Sequence, residues 1–127
     1  MRFRYTILFV SDVVGTIQFY EQAFGLEQGM LHESGDYGEL ATGETKLAFS
    51  SQKLMAEIGK PTGPPNPVRP SFEIAMETND VAMALQRALS AGATLVQDVQ
   101  EMAWGQTTAY VRDINDYLVE ICTPISN

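Results

Sequence analysis

One cysteine and one histidine in 127 residues leave this chain poor in the side chains that most often hold zinc, and no zinc-type spacing occurs. Cys122 has no partner for an internal disulfide, which agrees with a reducing compartment. No apolar run approaches the roughly 20 residues needed to cross a bilayer. Met1-Arg-Phe-Arg-Tyr5 passes straight into a strand pattern without a signal-peptide core, so a cytoplasmic protein is expected. Basic clusters are missing too, and a net charge of −8 repels phosphate backbones and anionic membranes, so neither nucleic acid nor membrane is expected as a partner. No Ser/His/Asp arrangement and no phosphate-cradling loop is present.

What the chain does have is a duplication. Tyr5-Thr-Ile-Leu-Phe-Val-Ser-Asp12-Val13 returns as Glu73-Ile-Ala-Met-Glu-Thr-Asn-Asp80-Val81, and the offset from Tyr5 to Glu73 is also that from Asp12 to Asp80. Each copy is an extended run that delivers an Asp-Val step into a helix-patterned segment. A repeat of this length is one supersecondary unit used twice, and a site is expected where two such units meet. With 45% hydrophobic residues, the chain has material for one compact domain with a core.

In the first unit, residues 5–10 are apolar apart from Thr6 and read as a strand. Ser11 and Asp12 offer N-cap oxygens, and Val13, Ile17, Tyr20 and Phe24 recur at helical spacing until Gly25 supplies a left-handed stop. Residues 26–32, 37–41 and 45–51 follow as short strands separated by turn residues, giving β-α-β-β-β. The second unit repeats the plan. Residues 73–78 form its first strand, and Val81, Leu85, Ala88 and Leu89 line a helix ending near Gly92. Residues 94–99, 107–112 and 117–123 are its later strands. Residues 59–70 hold five of the six prolines and read as an extended connector between module 1–58 and module 71–127. Residues 52–58 fit either a helical turn or a flap.

Two β-α-β-β-β modules in this order resemble the vicinal oxygen chelate superfamily, which includes glyoxalase I, the fosfomycin and bleomycin resistance proteins and extradiol dioxygenases. The likeness rests on Val10-Ser-Asp12, Phe19-Tyr-Glu21 and Phe24-Gly-Leu26 in the first module. In the second it rests on Trp104-Gly105, Tyr110-Val-Arg-Asp113 and Val119-Glu-Ile121. One departure stands out: the usual Asp-Pro-Asp-Gly turn is here Asp113-Ile-Asn-Asp116. The resemblance implies an α+β fold in which both modules build one curled, mixed, eight-stranded sheet, with helices on the convex side and the site on the concave side. Alternation then points Tyr5, Ile7 and Phe9, with Glu73, Ala75 and Glu77, and Leu118, Glu120 and Cys122, into the cavity. A one-residue slip in register would reverse all of these assignments.

Enzymes of this family bind a divalent metal through four inward positions, which match Tyr5, Ala48, Glu73 and Glu120 here. Such ions need several converging donors at about 2.0 to 2.6 Å, and only the two glutamates are ordinary ligands. His32 falls outside these positions. A metal-free site is therefore expected. Its alternative is a weak Mn, Mg, Ni or Zn site on Glu73 and Glu120, which are also the only candidates for catalysis. Two carboxylates close together in poor solvation should hold a proton or a cation between them. The plainer alternative pairs Glu73 with Arg112 or turns it to water.

Trp104 resembles the aromatic that lines the cleft in bleomycin-binding members, and otherwise reads as a core or dimer-interface tryptophan. Tyr110 resembles a substrate-contacting tyrosine of fosfomycin-resistance enzymes, and otherwise reads as a plain strand aromatic. Phe9, Met55 and Met102 read as apolar wall or core, and Cys122 as a small buried hydrophobe without a catalytic role. The expected function is binding of a small organic molecule, cationic or planar, between the modules, as bleomycin-resistance proteins do by sequestration. Tyr5, Phe9, Ala48, Glu73, Trp104, Tyr110 and Glu120 would line that site. The competing expectation is a metal-dependent lyase or isomerase of glyoxalase type, and a third is a sensor or subunit with a vestigial pocket. The resemblance also implies a homodimer.

Overall fold

The computed structural model describes residues 1–125. The fold is α+β, built from two βαβββ modules. The first runs through β1 (Tyr5–Val10), α1 (Val13–Phe24), β2 (Gln28–Leu31), β3 (Tyr37–Leu40), β4 (Lys46–Ser51) and a short α2 (Gln52–Glu57). The second comprises β5 (Ile74–Glu77), α3 (Val81–Ser90), β6 (Thr94–Glu101), β7 (Thr107–Arg112) and β8 (Leu118–Cys122). Each module forms its own mixed four-stranded sheet, in order β1-β4-β3-β2 and β5-β8-β7-β6. In both, the first strand lies parallel to the last and the remaining neighbours are antiparallel. Contacts group the described residues into 1–21 with 25–64, and 22–24 with 65–125.

The repeated aspartates do the same work twice. Asp12 Oδ1 accepts from the Gly15 N–H at 2.9 Å, and Asp80 Oδ1 from the Met83 N–H at 3.1 Å. Each satisfies a donor that the first helical turn leaves without an intrahelical partner. Gly25 closes α1 at φ 70°, its N–H donating to the Glu21 carbonyl. The segment 52–58 holds the short helix α2, Gln52–Glu57, with Ile58 closing it and the Ser51 hydroxyl capping its start by accepting from the Leu54 N–H.

Leu8, Val10, Leu47 and Phe49 make one face of the first sheet and are nearly inaccessible. Helix α1 lies on that face. Tyr20 packs its ring 5.2 Å from Phe49, and Ile17 Cδ1 stands so close to Gly38 that an added Cβ would meet it. In the second sheet Ala109, Val111, Val119 and Ile121 are fully buried, and α3 presents Val81, Leu85 and Ala88 to its own core. The alternation read from the sequence thus holds in both modules, and the residues between these core positions lie on the opposite, open faces.

Candidate functional site

On the second sheet, Glu120 pairs with Ala75 on one side and with Tyr110 on the other, so all three share the open face. Cys122 and Thr108, also paired, lie beside them, Glu77 follows Ala75 by two residues on the same face, and Glu73, expected to open this strand, lies just before β5. The Tyr110 hydroxyl donates to Glu120 Oε2 at 2.6 Å, within the range of charge-assisted hydrogen bonds. That bond pushes the phenol's pKa well above its ordinary value. Burial and the negative charges of Glu120 and Glu73 add to the push. Burial first, then Glu120, Glu77 and Glu73, pushes the Cys122 thiol up as well, so it stays protonated and unreactive.

Two further groups complete this face. Thr108 is 1% exposed and its Oγ1 has no hydrogen-bond partner. An orphaned buried hydroxyl costs about 1 to 3 kcal/mol, so it needs an explanation. Arg112 places its Nε 3.7 Å from Asp116 Oδ1. The ion pair offered between Glu73 and Arg112 is therefore not made, because the turn after β7 supplies a nearer carboxylate, and Glu73 is left exposed.

The first sheet carries a different open face. Tyr5 and Ile7 are exposed there, Phe9 is half-buried, and Ala48 is fully buried opposite Ile7. Sequence reasoning missed a polar pair there: the Tyr37 hydroxyl donates to Glu39 Oε2 at 2.8 Å. Burial, then the hydrogen bond to Glu39 and its charge, raises the Tyr37 pKa. The signal was available, since Tyr37 and Glu39 alternate with Gly38, whose missing side chain makes room for Ile17.

Trp104 stands in the turn between β6 and β7 at 61% exposure, its indole N–H donating to Gln106 Oε1 at 2.7 Å. The core reading of this tryptophan is thereby overturned: a hairpin tip offers nothing to bury it. Met55 is buried, as a wall or core residue should be, while Met102 is only partly so. His32 sits in the β2–β3 turn, its Nδ1 accepting from the Ser34 N–H.

A cavity of about 260 Å³ opens on the helix side of the second sheet, lined by Phe24, Met76, Met83, Arg87 and Ile121 among others. Glu77 and Asp80 also line it, while Glu73 and Glu120 do not. Several of its polar groups have structural duties, Asp80 capping α3 and the Arg87 Nε–H donating to the Gln22 carbonyl at 2.7 Å. On the opposite, open face the buried polar atoms Thr108 Oγ1 and Arg112 Nε have no hydrogen-bond partner.

Of the four positions that match metal ligands, Ala48 has no donor, Tyr5 is an exposed phenol, and Glu120 already accepts from Tyr110. This donor set does not fit a firmly held ion, which needs several converging oxygens or nitrogens. Among the described residues, no group of three or more His, Cys, Asp or Glu is placed to hold a metal.

The profile of the glyoxalase-like domain matches residues 3–126, and the chain belongs to that family, within the vicinal oxygen chelate superfamily. No curated protein gives a significant match. Among solved structures, a glyoxalase-related enzyme from Fulvimarina pelagi superimposes with a TM-score of 0.83 at 20% identity, covering 97% of this chain and 88% of that one. A glyoxalase/bleomycin resistance protein/dioxygenase family enzyme from Burkholderia phytofirmans PsJN gives a TM-score of 0.77 at 22% identity, over 97% and 98% of the two chains. A protein of unknown function from Agrobacterium tumefaciens str. C58 reaches a TM-score of 0.78 at 25% identity, over 98% and 94%. At these identities the likenesses speak for the fold.

Proposed function

We propose that this protein binds a small organic molecule, without a metal, on the open face of its second sheet. Glu73, Glu120 and Tyr110 make the polar contacts of that reading, and Trp104 is a further candidate for apolar surface. One observation carries it: the Tyr110 phenol is held against Glu120 on a face that the module's helix leaves uncovered. Such a set of fixed polar groups beside apolar surface suits ligand recognition. Sequestration of a toxic compound, in a cytoplasmic homodimer, is the biological form of this reading that the family resemblance supports.

A second reading makes the protein a metal-dependent lyase or isomerase of glyoxalase type, with one glutamate as base. The Glu120 carboxylate held against a phenol that also feels the charge of Glu73 favours keeping it in view. Metal analysis of purified protein separates the two. Stoichiometric Mn, Mg, Ni or Zn, with activity lost on chelation, would establish the enzyme. Ligand-induced thermal stabilisation that survives chelation would establish the binder.

A further inference from the structure

Resting on that reading of the second sheet's open face as a ligand site, we infer that the ligand is a protonated amine or amidine, its N–H groups donating to Glu120 and Glu73 above Thr108. The face is rich in acceptors. Glu73, Glu77 and Glu120 bring three carboxyl groups, and the donors beside them include the Tyr110 hydroxyl, already given to Glu120, the Gln97 amide, given to Gln100, the Thr108 hydroxyl and Arg112, whose Nε stands 3.7 Å from Asp116 without a hydrogen bond.

Negative potential there is felt by both protonated neighbours, since Glu120 and Glu73 help keep the proton on Tyr110 and on Cys122. Thr108 adds an independent mark, a polar atom on the same face that is buried and unmatched. One more N–H donor entering beside Tyr110 would find an acceptor in that hydroxyl and a counter-charge in the carboxylates, and would relieve the cost of the orphan. An anion would be repelled by three carboxyl groups. A neutral ligand would add no positive charge to this face.

The test uses benzamidine as probe, with benzamide as its neutral isostere and benzoate as its anionic one, on the intact chelator-treated chain. Calorimetry and NMR amide shifts are read together. Benzamidine is expected to bind at least about tenfold more tightly than benzamide, weaken with added salt, and shift the Thr108, Tyr110 and Glu120 resonances. Glu120→Gln, which keeps an oxygen to accept from Tyr110, should remove most of that preference, while Glu39→Gln on the other sheet should not.

Equal binding of benzamidine and benzamide at Thr108 and Tyr110 would overturn the cationic class and leave the face standing as a ligand site. Benzamidine shifts confined to residues away from this face would also overturn the inference. If neither probe binds, and a fragment library shifts the same face with neutral members only, the inference again fails while the functional reading holds. No perturbation of this face by any compound would defeat both.

Discussion

The two modules share strand order, cap chemistry and core parity, yet their open faces have parted. In the first, a phenol and a carboxyl group sit two residues apart on one strand, Tyr37 and Glu39, and the central position of the last strand is Ala48. In the second, the pair spans two strands, Tyr110 to Glu120, and the last strand supplies the acid itself. Core positions answer to packing, which duplication preserves. Open-face positions answer to whatever touches them, and there the copies are free to diverge. The first face kept exposed apolar groups at Tyr5 and Ile7, whereas the second gathered carboxylates at Glu73, Glu77 and Glu120.

This comparison can be broken most forcefully in the cores. Tyr20 is fully buried between Phe19 and Phe49, and Leu85 is 1% exposed under the second sheet. Tyr20→Ala should cost about 3 to 5 kcal/mol and Leu85→Ala about 2 to 5 kcal/mol in denaturant unfolding. A loss under about 1 kcal/mol at either site would show that its module does not bear on global stability.

Next in size are the phenols. Tyr110→Phe and Tyr37→Phe should each destabilise by about 1 to 2 kcal/mol near neutral pH, because each leaves a carboxylate without its donor. The sign with pH follows from the raised values. An unfolded phenol loses its proton near pH 10, but these two keep theirs to higher pH in the fold. Their stabilisation is therefore complete below about pH 10 and is lost as pH rises above it. Unfolding curves between pH 9 and 12 should fall more steeply for the parent protein than for the double Phe variant. Parallel curves would contradict the two hydrogen bonds.

The repeated caps test equivalence directly. Asp12→Ala and Asp80→Ala should each cost about 1 kcal/mol, since each removes one acceptor from the same position of a helix start. A difference beyond about 1 kcal/mol between them would mean that one helix start is held by something other than its cap.

Smallest is the expected effect at Asp116, which holds φ 70° where the family turn has glycine. Asp116→Gly relieves the left-handed strain but loosens the unfolded chain and removes the Arg112 partner, so the net change should stay within about 1 kcal/mol. Thermal unfolding measures it, and a larger loss would make the Arg112–Asp116 pair more than a surface contact.

Much of this was readable beforehand, because it depends on period and punctuation. The Asp-Val steps at residues 12 and 80 announce two helix starts, and strict alternation assigns Val119 and Ile121 to the core against Glu120 and Cys122. Other features depend on partners that no period encodes. Tyr37 finds Glu39, Arg112 turns to Asp116, and Trp104 ends at a hairpin tip, each decided by rotamer and turn geometry. Strand β6 runs on to Glu101, beyond its apolar residues, because Gln100 and Glu101 pair with Thr108 and Thr107 past two register shifts. The helix at residues 52–57 did leave a trace, Ser51 as its cap, but a single serine before a segment of this length does not decide between helix and loop.

The central claim is that the second sheet's open face, without a metal, is where this protein meets its ligand. An NMR fragment screen on chelator-treated protein tests it most directly. The account predicts that hits shift Thr108, Tyr110 and Glu120 together. Hits that gather instead at Met76 and Met83 on the helix side, or that appear only after a divalent metal is restored, would contradict it.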